Sequence, residues 1–242
     1  MTAVPPAPRP FPVRGRTVGI VGLVGALLFA FYFFVPTLFP RMEAVVYAAR
    51  PATTEIVAVG AQYQQLVTFG TWLQATGAAL CVVFFIGVLF LTAANGTAPG
   101  YVVLFGASVL VALVLLEGVF TLTWVSASTA GVATSARVGF DLMSRFIQVF
   151  PLVPAPAVYL PLGYLLLRSG LLPRWLAWVA AGLGAAFLLV GLLEVFLPFA
   201  QAFAAGLAGL QAFWIITAAI VLIARGEART PRRAAESVIL EE

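Results

Sequence analysis

The feature that most constrains this chain is a short break between two long apolar runs, in the segment Tyr164–Trp175 (YLLLRSGLLPRW). One apolar run ends at Arg168, Gly170 follows it, and a second apolar run begins after Pro173. Glycine is common just past a helix end, and proline is common in the first turn of a helix. A link this short makes the two helices antiparallel neighbours. Because Arg168 and Arg174 flank the link without an acid nearby, it predicts the cytoplasmic face of a membrane.

Composition supports a chain that is solvated mainly by lipid. It is 62% hydrophobic and 9% charged, whereas soluble domains carry about 25% charged residues. A chain of 242 residues accommodates one bundle of about six spans at about 20 residues each. The sequence contains no lysine, and its arginines lie near the ends of apolar runs, which indicates topology signals and no nucleic-acid partner. Arginine without lysine favours a GC-rich bacterial genome, and therefore the bacterial cytoplasmic (inner) membrane.

We predict an all-α integral membrane protein, a bundle of six transmembrane helices with both termini cytoplasmic. A Pro/Arg-rich cytoplasmic tail forms residues 1–16, the six-helix domain residues 17–224, and an Arg/Glu-containing cytoplasmic tail residues 225–242. The predicted spans are Val18–Phe39, Leu66–Ala93, Tyr101–Trp124, Gly139–Leu167, Leu172–Leu197 and Phe203–Ala224. With this topology nine arginines lie on the inner side and four on the outer side, in agreement with the positive-inside tendency.

Two segments depart from a simple pattern of spans and short loops. The fourth span contains several prolines, which predict a kink or a break near Pro151–Pro156. Non-helical backbone at membrane depth is tolerated only where protein or water covers it, so this region is a candidate cavity wall. The longest polar connection, Arg41–Gln65, contains a candidate interfacial helix at Met42–Arg50.

The residue types that are missing exclude most catalytic chemistry. The sequence has no histidine, which excludes histidine-ligated haem or zinc and Ser-His or Cys-His catalysis. Without lysine there is no Ser-Lys dyad or Schiff base, and Asp141 and Cys81 are each the only residue of their type. We find no phosphate-binding loop or dinucleotide motif. We therefore expect no enzyme, no catalytic residue, no metal site and no cofactor, with glutamate-based chemistry or an apolar cofactor (a quinone or carotenoid) as the remaining alternatives.

One group of polar residues stands out within the predicted spans. Charges inside spans are costly and normally face the bundle interior. We take Trp124 as the residue at the outer membrane interface. Glu117 precedes it by seven residues and therefore lies about 10 Å deeper, at 1.5 Å per residue. Arg145 is expected to neutralise Glu117, and Asp141 to hold Arg145 from one turn away. The predicted outward-facing pocket comprises Gln74, Glu117, Asp141, Arg145, Gln148 and Glu194.

The pocket has three interpretations. The one we favour is an internal ion pair that fixes the register of the helices. The second is a site for a small polar ligand, a lipid headgroup or an ion, because an intramembrane charge is by default a functional hypothesis. The third is a set of unrelated interfacial charges.

The segment YLLLRSGLLPRWLAWVAAGLG resembles an uncharacterised bacterial family of multi-spanning membrane proteins, a domain of unknown function. In that family a short Arg-Ser-Gly-x-Leu-Pro-Arg link joins two late spans. The matching residues here are Arg168, Ser169, Gly170, Leu172, Pro173 and Arg174. The resemblance implies a six-helix bundle and implies nothing about a substrate.

These observations lead to two expectations for function. The first is a non-catalytic scaffold or accessory subunit of a membrane complex, in contact with lipids and with other membrane subunits or a second copy of the chain. The 20 phenylalanines of the chain and its helix faces of small residues would form the contacts with the other subunits. The alternative is a small transporter or a ligand- or lipid-binding membrane protein that uses the pocket around Glu117 and Arg145.

Overall fold

The computed structural model describes residues 14–46, 48, 50–149, 153–194, 196 and 201–228. All regular structure in these residues is helical. The α-helices are α1 (Gly15–Phe34), α2 (Pro40–Val46), α3 (Thr53–Gln62), α4 (Gln64–Leu91), α5 (Ala98–Thr129), α6 (Ala133–Val149), α7 (Pro154–Ser169), α8 (Arg174–Glu194) and α9 (Gln201–Ala228). A 3-10 turn, Pro36–Leu38, joins α1 to α2.

Five helices in the described part of the chain are long and apolar enough to cross a membrane, namely α1, α4, α5, α8 and α9. This fits a multi-pass membrane protein. The predicted fourth span, Gly139–Leu167, is divided between α6 and α7, and residues 150–152 lie outside the described residues. Helix α7 has 16 residues, fewer than the usual span of about 20. The count of six spans, the orientation of the termini and the proline kink stay predictions.

Six helices form a closed ring. Around it, α1 contacts α4, α4 contacts α5, α5 contacts α7, α7 contacts α8, α8 contacts α9, and α9 returns to α1. These helices carry apolar residues on all sides, so their outward faces keep exposed side chains such as Leu115, Leu189 and Phe213, as expected for helices solvated by lipid. Inside, Trp214 packs edge-on against Tyr159 and donates from Nε1 to the Leu176 carbonyl at 2.8 Å.

Glycines bring two helices of the ring into backbone contact. A Cβ atom at Gly77 of α4 would lie 2.5 Å from the Phe29 nitrogen and 2.8 Å from the Gly25 carbonyl oxygen of α1. Any side chain there would force the helices apart. Small residues allow this approach when lipid supplies no hydrophobic driving force between helices.

A second apolar core lies at one end of the ring, where α2, α3 and α6 cover the ends of α4 and α5; we call this region the cap. Trp124 is buried there and donates from Nε1 to the Ile56 carbonyl at 3.0 Å. Helix α5 has 32 residues and is about 48 Å long at 1.5 Å per residue, against about 30 Å of membrane hydrocarbon. Its C-terminal part therefore belongs to the cap, and Trp124 is a core residue rather than the interface residue that the sequence indicated.

The opposite end of the ring holds the α4–α5 and α7–α8 turns, and we call it the basic end. Helix α7 ends as the sequence predicts, because Gly170 adopts a left-handed conformation (φ +62°) and its N–H donates to the Leu166 carbonyl at 3.2 Å. Helix α8 begins at Arg174, directly after Pro173. The two helices pack side by side along the ring.

Candidate functional site

Two residues of the predicted pocket meet between α4 and α5. Gln74 donates from Nε2 to Oε2 of Glu117 at 3.2 Å. Gln74 is buried and Glu117 is half-buried. Gly118, next to Glu117, lets the helices approach, because a Cβ atom there would lie 3.0 Å from Cγ2 of Thr71 on α4. Close packing at a small residue thus sets the distance between the amide and the carboxylate.

The pair lies near the cap end of the ring. At 1.5 Å per residue, Gln74 is about 25 Å from Leu91 and Glu117 about 28 Å from Ala98, both measured from the basic end. The hydrocarbon core of a bilayer is about 30 Å thick. The pair therefore lies in the cap-side part of the ring, and Trp124 cannot serve as the reference for its depth, because Trp124 is buried in the cap.

The arginine partners differ from the prediction. Within the described residues no guanidinium is paired with Glu117, and Arg145 is exposed on α6. Asp141 pairs with Arg137, with Nε and Oδ2 2.8 Å apart, and does not hold Arg145. The reason is that Arg137 also donates from Nη1 to the Pro51 carbonyl at 2.9 Å. That bond fixes Arg137 in the cap, one turn before Asp141.

The remaining two residues of the predicted pocket cannot be placed against Glu117. Gln148 lies in the last turn of α6 and Glu194 ends α8, but their side chains fall outside the described residues. Their membership of the pocket stays a prediction.

The pair of Gln74 and Glu117 has hydrogen-bond acceptors left over. Gln74 Oε1 is buried without a hydrogen-bond partner. The neighbouring hydroxyls of Thr71 and Thr121 do not reach it, since they donate at 2.8 Å to the carbonyls of Val67 and Glu117. A buried carboxylate is costly unless it is paired, and a buried acceptor without a donor costs about 1–3 kcal/mol. The arrangement therefore favours a bound cation, a hydrogen-bond donor or a proton.

A metal ion bound beside Glu117 would have few charged protein ligands. No group of three or more His, Cys, Asp or Glu with metal-binding geometry occurs in the residues that the structure describes. Ligands besides the Glu117 carboxylate would be amide and carbonyl oxygens or water, which are the ligands that Na⁺, Mg²⁺ and Ca²⁺ prefer.

A second polar pair, which the sequence reasoning missed, lies deeper in the ring. Tyr159 of α7 and Gln211 of α9 are buried, and neither the Tyr159 hydroxyl nor Gln211 Oε1 has a hydrogen-bond partner. The two side chains are nevertheless near each other, and Cys81 is near the hydroxyl. In the sequence, Gln211 is an isolated amide in an apolar run, and this alone could have indicated a polar contact inside the bundle.

A small cavity adjoins this second pair. It has about 10 Å³ of water-accessible volume and is lined by Phe29, Ala78, Cys81, Phe85, Leu110 and Gln211. That volume is close to the minimum for one water molecule, which needs about 10–15 Å³. Cys81 is about 15 Å from the end of α4 at Leu91, so the cavity lies at mid-depth of the ring.

The fold fits a multi-pass membrane protein in which polar pairs lie at the contacts between apolar helices. Comparison with protein-family models, with curated proteins and with solved structures finds no match. The resemblance of the Tyr164–Trp175 turn to a family of unknown function therefore stays a prediction.

Proposed function

We propose that this chain is a small cation-binding membrane protein, of the kind found among transporters, in which Glu117 and Gln74 hold the cation. One observation carries the proposal. Among the residues that the structure describes, no guanidinium is paired with the half-buried carboxylate of Glu117, and the buried amide oxygen of Gln74 beside it has no hydrogen-bond donor. A cation satisfies both groups at once.

The favoured interpretation from sequence, an internal ion pair that fixes helix register, loses its support because Arg145 is exposed and Asp141 pairs with Arg137. Without that pair, Glu117 is a cost to folding unless something neutralises it. Intramembrane carboxylates that are kept at such a cost commonly mark ion or proton pathways.

The position of the pair also suits entry from one side. Counted along α5 from the basic end, Glu117 lies at about 28 Å, close to the far boundary of a hydrocarbon layer about 30 Å thick. A cation would therefore approach it from the cap side of the bilayer, past the residues of the cap. The arginine distribution favours a cytoplasmic basic end and an outward-facing cap, in the inner membrane of a bacterium.

The test is a thermal-unfolding titration of the purified protein in detergent. Sodium, potassium, magnesium and tetramethylammonium chlorides are compared with N-methylglucamine chloride at equal ionic strength. A cation at 100 times its dissociation constant adds about 2.7 kcal/mol to the free energy of unfolding. We expect at least one cation to raise the unfolding temperature of the wild type and to have no effect on Glu117→Gln.

Glu43→Gln is the matched control, because Glu43 is an exposed carboxylate on α2 in the cap. It should keep the full response to the cation. No specific cation effect on the wild type, or an equal effect on Glu117→Gln, would overturn the proposal.

An accessory-subunit role is the second candidate, and surface gaps on α8 and α9 favour it. A Cβ atom at Gly182, Gly206 or Gly209 would meet no atom within 4 Å, and all three glycines are exposed. Such gaps let a helix of another subunit approach closely. Native mass spectrometry in mild detergent tests this role: a stoichiometric partner that is lost in Gly182→Leu supports it, and an isolated monomer opposes it.

A further inference from the structure

We propose that the basic end carries a binding site for the phosphate headgroup of an anionic phospholipid, formed by Arg168, Arg174 and Arg225 around the α7–α8 turn. The site is separate from Glu117, which lies toward the cap. It does not depend on cation binding there.

Three guanidinium groups belong to this one turn. Arg168 ends the helix before it, and Arg174 begins the helix after it. Arg225 reaches it from α9, because its Nη1 donates to the Leu171 carbonyl at 2.8 Å. The turn therefore gathers positive charge from three helices.

The arginine side chains are exposed, and two of them are held in place. Arg168 donates from Nη1 to the Tyr164 hydroxyl at 2.9 Å and lies 5.7 Å from the centre of that ring. A guanidinium has five N–H donors, so most donors of Arg168 and Arg225 are left for a ligand. Arginines that are already oriented lose less entropy when they bind phosphate in a bidentate way.

The charge around the turn is one-sided. No acid is paired with these arginines among the residues that the structure describes. The nearest acid in sequence is Glu227, whose side chain lies outside those residues. The cap differs, since Glu43, Glu55 and Asp141 are interspersed with its arginines. An anion is therefore attracted to the basic end in preference to the cap.

Exposed aromatic rings beside the turn favour a lipid over a soluble phosphate. Trp175 and Trp178, at the start of α8, are 56% and 65% exposed. Tryptophan is enriched where the headgroups of a bilayer meet its hydrocarbon. These rings would contact the glycerol and upper acyl chain of a lipid whose phosphate lies on the arginines, and a free phosphate has no such part.

The experiment is native mass spectrometry of protein released from nanodiscs that contain equal amounts of phosphatidylglycerol and phosphatidylcholine. We expect the wild type to retain phosphatidylglycerol preferentially. Juxtamembrane arginines each contribute about fivefold to the affinity for anionic lipid. The variant Arg168→Gln/Arg174→Gln/Arg225→Gln should lose most of the preference, and Arg41→Gln/Arg137→Gln, in the cap, should keep it.

A competition arm separates the two sources of phosphate. Glycerol 3-phosphate at millimolar concentration should not displace the lipid, since it lacks the acyl chains. Displacement would mean a soluble-anion site and would overturn the proposal, as would equal retention of both lipids by the wild type. If the triple variant fails to fold, the single variants and the wild-type lipid preference decide the question.

Discussion

Within the described residues, the polar pair of Gln74 and Glu117 differs from the polar pair of Tyr159 and Gln211 in charge and in depth. Gln74 and Glu117 include a carboxylate, are joined by one hydrogen bond, and lie near the cap end of the ring. Tyr159 and Gln211 are neutral, have unpartnered oxygens, and lie at mid-depth beside a cavity of one-water size. The charged group thus lies toward one end of the ring, and the neutral groups lie in its middle, where Gln211 lines the cavity.

This difference is the reason why we propose a ligand site at the charged pair only. A neutral pair with a buried water can persist as part of the core, because the water supplies the missing hydrogen bonds. For a carboxylate without a counter-ion, the cost of removing the charge from water is offset only when a proton or a cation binds to it. Variants of both pairs should therefore be measured side by side, for the free energy of unfolding and for the response of that free energy to cations.

The largest effect is expected at the glycine between the two pairs. Gly77 lies on α4 between Gln74 and Cys81, where its Cβ position touches α1. Gly77→Val should lower the free energy of unfolding by about 3 kcal/mol through overpacking, and it should disturb both pairs. Unfolding in denaturant measures this, and Gly182→Val, at an open position, should change stability by less than about 0.5 kcal/mol. Equal effects of the two variants would contradict the packing described for α1 and α4.

The second effect concerns the charged pair. In buffer without the stabilising cation, Gln74→Leu/Glu117→Leu should raise the free energy of unfolding by about 1–2 kcal/mol, because it replaces a buried amide and a half-buried carboxylate by apolar groups. The same variant should lose the response to cations. Chemical denaturation with and without the cation measures both quantities. A loss of stability would support the register-fixing interpretation instead.

The third effect concerns the neutral pair. If one water links them, Tyr159→Phe and Gln211→Leu should each cost about 1 kcal/mol, and the double variant should cost less than their sum by at least about 0.5 kcal/mol. A double-mutant cycle measures this coupling. The response to cations should be unchanged in all three variants. Additive or stabilising effects would mean a dry cavity and no shared water.

The smallest effect is expected at the exposed ion pair in the cap. Arg137→Gln should lower stability by at most about 1 kcal/mol, since Arg137 and Asp141 are both partly exposed. The response of Glu117 to cations should not change. A loss of that response in a thermal titration would mean that the ion pair of Arg137 and Asp141 is coupled to Glu117, which only the Asp141 part of the predicted pocket anticipates.

Much of the helical organisation could be predicted from the sequence, because long apolar runs with few charges have little alternative to membrane-spanning helices. The contact of Gln74 with Glu117 follows from the same reasoning. The two residues lie on antiparallel helices joined by a short turn and at similar distances from it, so the topology brings them to one depth.

Other parts could not be predicted, for physical reasons that particular residues illustrate. Asp141 has arginines one turn before and one turn after it, and the choice of Arg137 over Arg145 depends on the Pro51 carbonyl. The cap depends on how α2 and α3 fold back onto Trp124, which hydropathy does not encode. Tyr159 and Gln211 meet across the ring from helices that do not follow each other in sequence, so no spacing indicates their contact.

Labelling with dicyclohexylcarbodiimide tests whether Glu117 is a carboxyl group without a counter-ion that a cation can neutralise. This reagent modifies protonated carboxyl groups in apolar surroundings, and peptide mass spectrometry locates the product. We expect modification at Glu117, which the cation that stabilises the wild type should slow and which should be absent in Glu117→Gln. Modification confined to exposed acids such as Glu43, or labelling of Glu117 at a rate that no cation changes, would contradict it.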